Sequence, residues 1–270
     1  MVDNRVGDST SERRLSRIAA KLATVEASPD RWGGVFGAEE HSFRLSAPMT
    51  EAAVAAFEAG HGVTLPGGYR RFLLELGSEG AGPDYGLRIP SYEICGNLAA
   101  PSFIEPGQER ITDWSYAYLD AGQKRWQGTL AVVDHGCSVR TLLIVTGRWR
   151  GRLAHADVDG AYGPYLLEDT DFLSWYERWL DELLSGCNVS MFGWQKLPGN
   201  EHTLRHILTS DPSPARRQMA ARSLAALPRL SRNGRQALLA STRDTDPLVR
   251  EEALEALTRS KTTSSGTVER

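Results

Sequence analysis

Leu130-Ala131-Val132-Val133, then Asp134-His135-Gly136-Cys137-Ser138, then Thr141-Leu142-Leu143-Ile144-Val145-Thr146: these three pieces decide the fold class. The outer two are rich in β-branched residues, and the middle one is a turn. So short a separation predicts an antiparallel hairpin, because parallel strands need a crossover of a dozen residues or more. A third run, residues 152–156, follows the turn Gly147-Arg148-Trp149-Arg150-Gly151 and extends the same sheet. Phe43-Arg44-Leu45 offers a further, very short alternation.

Helical patterns lie on both sides. Leu15, Ile18, Ala19 and Leu22 fall on one helical face, and Ser28-Pro29-Asp30 stops that segment. Thr50-Glu51 caps a helix that Gly60-His61-Gly62 ends. Tyr69, Phe72, Leu73 and Leu76 line the next, with Gly77 expected in a left-handed conformation at its end. After the strands, Thr170 or Asp171 caps a helix whose face is Phe172, Trp175, Tyr176, Trp179, Leu180 and Leu183. Faces that wide must be covered, so Phe72, Leu73, Leu76, Trp175, Tyr176 and Trp179 are expected to be buried, and the Tyr69 hydroxyl to be satisfied at an edge. The class is α+β, a mainly antiparallel sheet packed by helices.

Beyond Gly186-Cys187 no strand signal remains. Asp211-Pro212-Ser213-Pro214 with Arg217, Ala220 and Leu224 recurs as Asp244-Thr245-Asp246-Pro247 with Arg250, Ala253 and Leu257, every pair offset by 33 residues. A turn, a proline at the start of a helix and an apolar stripe form one repeating unit. The chain therefore divides into a helical extension (1–27), an α+β domain (28–187), a linker (188–199), an all-α repeat region (200–260) and a disordered tail (261–270).

The 270 residues carry a net charge of −3, which gives the whole chain no reason to coat nucleic acid or an anionic membrane. The charge is uneven: residues 203–270 hold 12 basic and 7 acidic side chains, a balance of +5, which leaves −8 for residues 1–202. No apolar run approaches the roughly 18 residues of a membrane span, and Met1-Val2-Asp3-Asn4-Arg5 opens no apolar signal segment. Cys95, Cys137 and Cys187 are too scattered for a disulfide framework. A cytoplasmic protein is expected.

Several motifs invite chemistry. The glycine-rich stretch 78–87 lacks the lysine and following helix of a phosphate cradle. His135 and Cys137 sit in one tight turn, where neighbours seldom point at each other, and the cysteines lack zinc-ligand spacing. No catalytic residue, metal or cofactor is expected.

Two resemblances rest on residues already quoted. Phe57-Glu58 to Gly62, Leu65-Pro66 with Tyr69-Arg70 and Phe72-Leu73, Gly77, and Gly80, Gly82-Pro83, Tyr85-Gly86-Leu87 resemble the signature of the SUKH superfamily, the Smi/Knr-type domain. The similarity continues in Asp134-His135-Gly136-Cys137, in Gly147 with Arg150-Gly151, and in Phe172, Trp175-Tyr176 and Trp179-Leu180. Ser138 stands where the family commonly has glycine. Residues 200–260 resemble HEAT-type helical repeats. The SUKH resemblance implies a non-enzymatic binding protein, most often an immunity protein that neutralises a polymorphic toxin such as a nuclease or deaminase; the alternative is a regulatory scaffold.

A nuclease toxin carries cationic surface, so acidic loops on the inhibitor would steer it. Glu79, Asp84, Asp157 and Asp159 are the expected partner-binding residues. Arg216, Arg217 and Arg222 lie in one short helix of the repeats, so at least some of their charge is expected to face away from the repeat core, part of it meeting the acidic domain.

Overall fold

The computed structural model describes residues 3–28, 32, 34–92, 96–102, 104, 126–157 and 164–265. It divides into two compact units, residues 1–184 with 190–192, and residues 185–189 with 193–270.

The first unit is α+β. Helices α1 (Asp3–Glu26), α2 (Glu51–His61) and α3 (Gly67–Glu75) precede strands β1 (Thr129–Asp134), β2 (Val139–Ile144), β3 (Leu153–Asp157) and β4 (Tyr165–Leu166), and α4 (Phe172–Leu184) follows. The sheet is antiparallel throughout, in the order β1-β2-β3-β4. Leu130 faces Leu143, and Leu143 faces Leu153 across the next pair. β1 bulges between Ala131 and Val133. From there single bridges carry the sheet outward: Val133 to Leu87, Leu87 to Gly80, Gly80 to Leu45. The Phe43-Arg44-Leu45 alternation thus becomes one bridge, too short to be a strand.

Successive strand residues point to opposite faces, and both faces are filled. Ala131, Leu142, Ile144, Ala154 and Ala156 form one cluster with Ile104 and Trp126. Phe72, Leu73, Trp175, Tyr176 and Trp179 are fully buried, as their spacing predicts, whereas Leu76 caps α3 and is half-buried. Tyr176 donates its hydroxyl to the Ala81 carbonyl at 2.8 Å. The Tyr69 hydroxyl, expected at an edge, is buried without a hydrogen-bond partner, and burial pushes it above its ordinary range.

Capping follows the sequence. Thr50 accepts from the Ala53 amide at 3.2 Å, and Asp171 accepts from Ser174 at 2.7 Å. Gly62 closes α2 in the left-handed region at φ 65°. Gly77, by contrast, has no positive φ; a Cβ there would lie 2.5 Å from the Ser46 carbonyl oxygen, so close approach of backbone is what the position requires. α1 buries Leu15, Ile18, Leu22 and Val25, with Ala19 outside the stripe, and packs on α4. Arg17 donates to Glu177 at 2.7 and 2.9 Å, and Lys21 joins at 2.9 Å. Between α2 and α3, Glu58 takes Arg70 at 3.2 Å and the Leu65 amide at 2.8 Å.

The second unit is all-α: α5 (Glu201–Ser210), α6 (Pro214–Ala226), α7 (Arg232–Ser241) and α8 (Pro247–Ser265). α5 packs on α6 and α7, and α8 on α6 and α7. Ser213 caps α6 and Asp246, its counterpart 33 residues on, caps α8. α8 runs through residues 261–265 of the stretch read as a disordered tail: extending an established helix adds a hydrogen bond for each residue fixed. Residues 266–270 lie outside the described set.

Candidate functional site

Residues 80–87 and 134–137, far apart in sequence, meet beside the sheet. Gly136 adopts φ 93°, and a Cβ there would lie 2.8 Å from the Tyr85 ring, so this glycine admits the aromatic side chain. Beneath them, Asp84 hydrogen-bonds His135 Nδ1. His135 Nε2 lies 2.6 Å from Thr141 Oγ1. Thr141 faces His155, and His155 faces Tyr165, across three adjacent strands. His155 Nδ1 lies 3.0 Å from the Tyr165 hydroxyl, and the two imidazoles pack edge to face at 5.1 Å. Asp84 also takes the Met191 amide on Oδ1 at 2.9 Å.

Carboxylate, imidazole and hydroxyl in sequence have the connectivity of an acid–base relay. Asp84 and His135 expose no side-chain surface, and Thr141 is equally enclosed, so no substrate reaches that hydroxyl. Its measurable property is the joining of three segments: the 80–87 loop, the hairpin turn and the residues around Met191. Cys137 is exposed at φ 48°, while His135 spends both ring nitrogens inside. No nitrogen is left to activate that thiol. Among the described residues no group of three His, Cys, Asp or Glu is placed to hold a metal ion; Cys95 lies outside them.

The four acidic residues expected to meet a partner do not form one surface. Asp84 is buried by its hydrogen bonds. Asp157 is buried at the end of β3, opposite Val139. Asp159 lies outside the described residues. Glu79 is exposed.

Glu79 borders an open groove of about 370 Å³ that runs over the bridged extension of the sheet. Glu40, Arg44, Ser46, Glu79 and Arg88 supply much of its polar lining, and Leu45, Tyr85 and Leu87 its apolar part. The backbone closes tightly below: the Ser46 amide donates to the Glu79 carbonyl at 2.9 Å, and Ala81 to Arg44 at 2.8 Å. Gly80, at φ 103°, has room for no Cβ, which would sit 2.2 Å from the Arg44 oxygen. Arg88 lies 5.0 Å above the Tyr92 ring and 3.8 Å from Asp134. His41 is buried, and desolvation lowers its pKa despite its hydrogen bond to the Asp84 carbonyl. The groove mixes signs. Arg44 and Arg88 were not singled out in the sequence, where nothing marks an arginine as lining a groove rather than facing bulk water.

In the second unit Arg216, Arg217 and Arg222 are each paired with a carboxylate of that unit. Arg216 donates to Asp211 at 2.8 Å, Arg217 to Asp244 at 2.9 and 2.8 Å, and Arg222 to Glu252 at 2.9 Å. Each aspartate or glutamate sits on a neighbouring turn or helix of the same unit, which satisfies the guanidinium locally.

A family model for HEAT repeats matches residues 201–268. No curated protein and no solved structure matches the chain. Among the described residues no helix is long and apolar enough to cross a membrane. The chain is thus an α+β unit with a four-stranded antiparallel sheet, followed by a helical region that matches HEAT repeats, a kind of module that commonly mediates protein interactions.

Proposed function

We propose that this chain is a non-enzymatic binding protein that neutralises a cognate polymorphic toxin by direct contact in the cytoplasm. The observation that supports the reading is that His135 of the motif is spent with Asp84 and Thr141 in a closed fastener, while a polar groove lies open along residues 79–88. The SUKH resemblance of residues 28–187 supplies the toxin, and the −8 balance of residues 1–202 suits a cationic one.

Of the four acidic residues expected to meet a partner, this reading retains Glu79 at the groove; Glu40 joins it there, with Arg44 and Arg88 setting register against acidic groups of the partner. The test is co-expression with the toxin gene beside this one: growth is rescued if the reading holds. The HEAT match favours a second reading, a regulatory scaffold, because an inhibitor needs no appended repeats. Failure of rescue against every neighbouring toxin favours the scaffold.

A further inference from the structure

Helix α8 repeats α6 at an offset of 33 residues, and the same face of the two helices is covered differently. On α6, Ala215 and Ala221 are 8% and 0% exposed, and Gln218, Arg222 and Ala225 are half-buried. From this side Arg222 reaches Glu252 on α8. On α8 the matching positions are Leu248, Glu251, Leu254, Glu255 and Thr258, and all five are exposed, Leu248 by 36% and Leu254 by 56%. Alanine becomes leucine where the cover is missing. The exposed face of α8 is thus amphipathic, with Leu248 and Leu254 set among Glu251, Glu255 and Thr258.

Charged groups on the same face specify what fits it. Arg217 divides its guanidinium: Nη1 holds the carbonyls of its own turn, Asp211 at 2.9 Å and Pro212 at 3.4 Å, while Nε and Nη2 take the Asp244 carboxylate of the following repeat. Arg250 repeats the first half, with Nη1 on Asp244 at 2.8 Å and Thr245 at 3.0 Å. Among the described residues its Nε and Nη2 meet no carboxylate. Where α6 presents Arg222 to a glutamate, α8 presents Glu255, of opposite sign, paired among the described residues with its helix neighbour Arg259 alone.

We propose that this face of α8 docks an amphipathic helix of a partner protein. That helix carries a carboxylate in the turn before it, to complete Arg250, and an arginine or lysine eight residues later, the spacing of Asp244 and Glu252, to meet Glu255. Apolar side chains between them cover Leu248 and Leu254. The surface belongs to the second unit, and the inference stands apart from the toxin reading.

The test uses the full chain and one synthetic peptide, residues 244–259 of this sequence carrying Glu252→Arg, followed by fluorescence anisotropy. The wild-type chain binds it, and binds the same peptide with its native Glu252 at least fivefold more weakly. Glu255→Arg in the chain reverses that preference, and Leu254→Asp weakens binding at least tenfold. Both variants keep the wild-type thermal melt, because both side chains are exposed. No binding, equal binding of the two peptides, or indifference to Leu254→Asp overturns the proposal. Self-association of the chain that Leu254→Asp abolishes, without peptide binding, overturns it in favour of a second copy.

Discussion

The Asp84 carboxylate and the His135 imidazole, 51 positions apart, share a hydrogen bond in which neither side chain has any exposed surface. An acidic loop residue between Pro83 and Tyr85 is thereby turned from a surface charge into part of the interior. Reversing it tests the fold and not a binding surface. Asp84→Lys places an unpaired cation in the space and is expected to cost about 3–5 kcal/mol, enough to unfold many domains of this size. Asp84→Asn, which keeps the shape, costs less. Chemical denaturation of both variants reads this directly, and a melt unchanged in Asp84→Lys would contradict the burial.

Backbone closure at Gly80 makes a second expectation. Its φ of 103° is unfavourable for any L side chain, and the Arg44 carbonyl occupies the place of a Cβ. Gly80→Ala should destabilise by about 2–4 kcal/mol and open the groove at Leu45. A denaturant midpoint equal to wild type would show that the bridged extension of the sheet is not formed.

Acid titration should find Glu177. Burial alone would raise its pKa, but hydrogen bonds from Arg17 and Lys21, with their charges, outweigh that and bring it to about 2. The folded value lies below the unfolded one of about 4.3, so the stabilisation is fully present above that pH and is lost as pH falls toward 2. Glu177→Gln should remove about 1–2 kcal/mol at pH 7, because the partners are partly solvated, and the difference from wild type should shrink through the same window. Equal melting temperatures at pH 7 would refute the α1–α4 link.

Much of the first unit could be read from the sequence because its signals are local. The hairpin needs only the β-rich apolar runs at 130–133 and 141–144 and the short turn between them. The stripe Phe172 to Leu183 needs only its spacing. Asp84 needed more: its partners His135 and Met191 lie 51 and 107 positions away, and a glycine-rich loop gives no hint of which carboxylate turns inward. The two-residue strand Tyr165–Leu166 is shorter than any period can register. Arginines 216, 217 and 222 read as surplus positive charge because their carboxylates come from other turns and helices, which composition cannot pair.

The repeats offer a clean coupling measurement. Arg217 and Asp244 sit on consecutive repeats and meet at two hydrogen bonds. A double-mutant cycle of Arg217→Ala and Asp244→Ala should return an interaction of about 1–2 kcal/mol. A value near zero would mean this pair adds nothing to the stacking of the repeats.

If this chain neutralises a toxin by stoichiometric binding without turnover, as proposed, the decisive experiment titrates this chain into a fixed concentration of any toxin domain encoded beside it. Toxin activity should fall linearly to zero at one equivalent, with the intact toxin recovered after denaturation of the complex. Inactivation by a small fraction of an equivalent, or full activity at a tenfold excess, would contradict it.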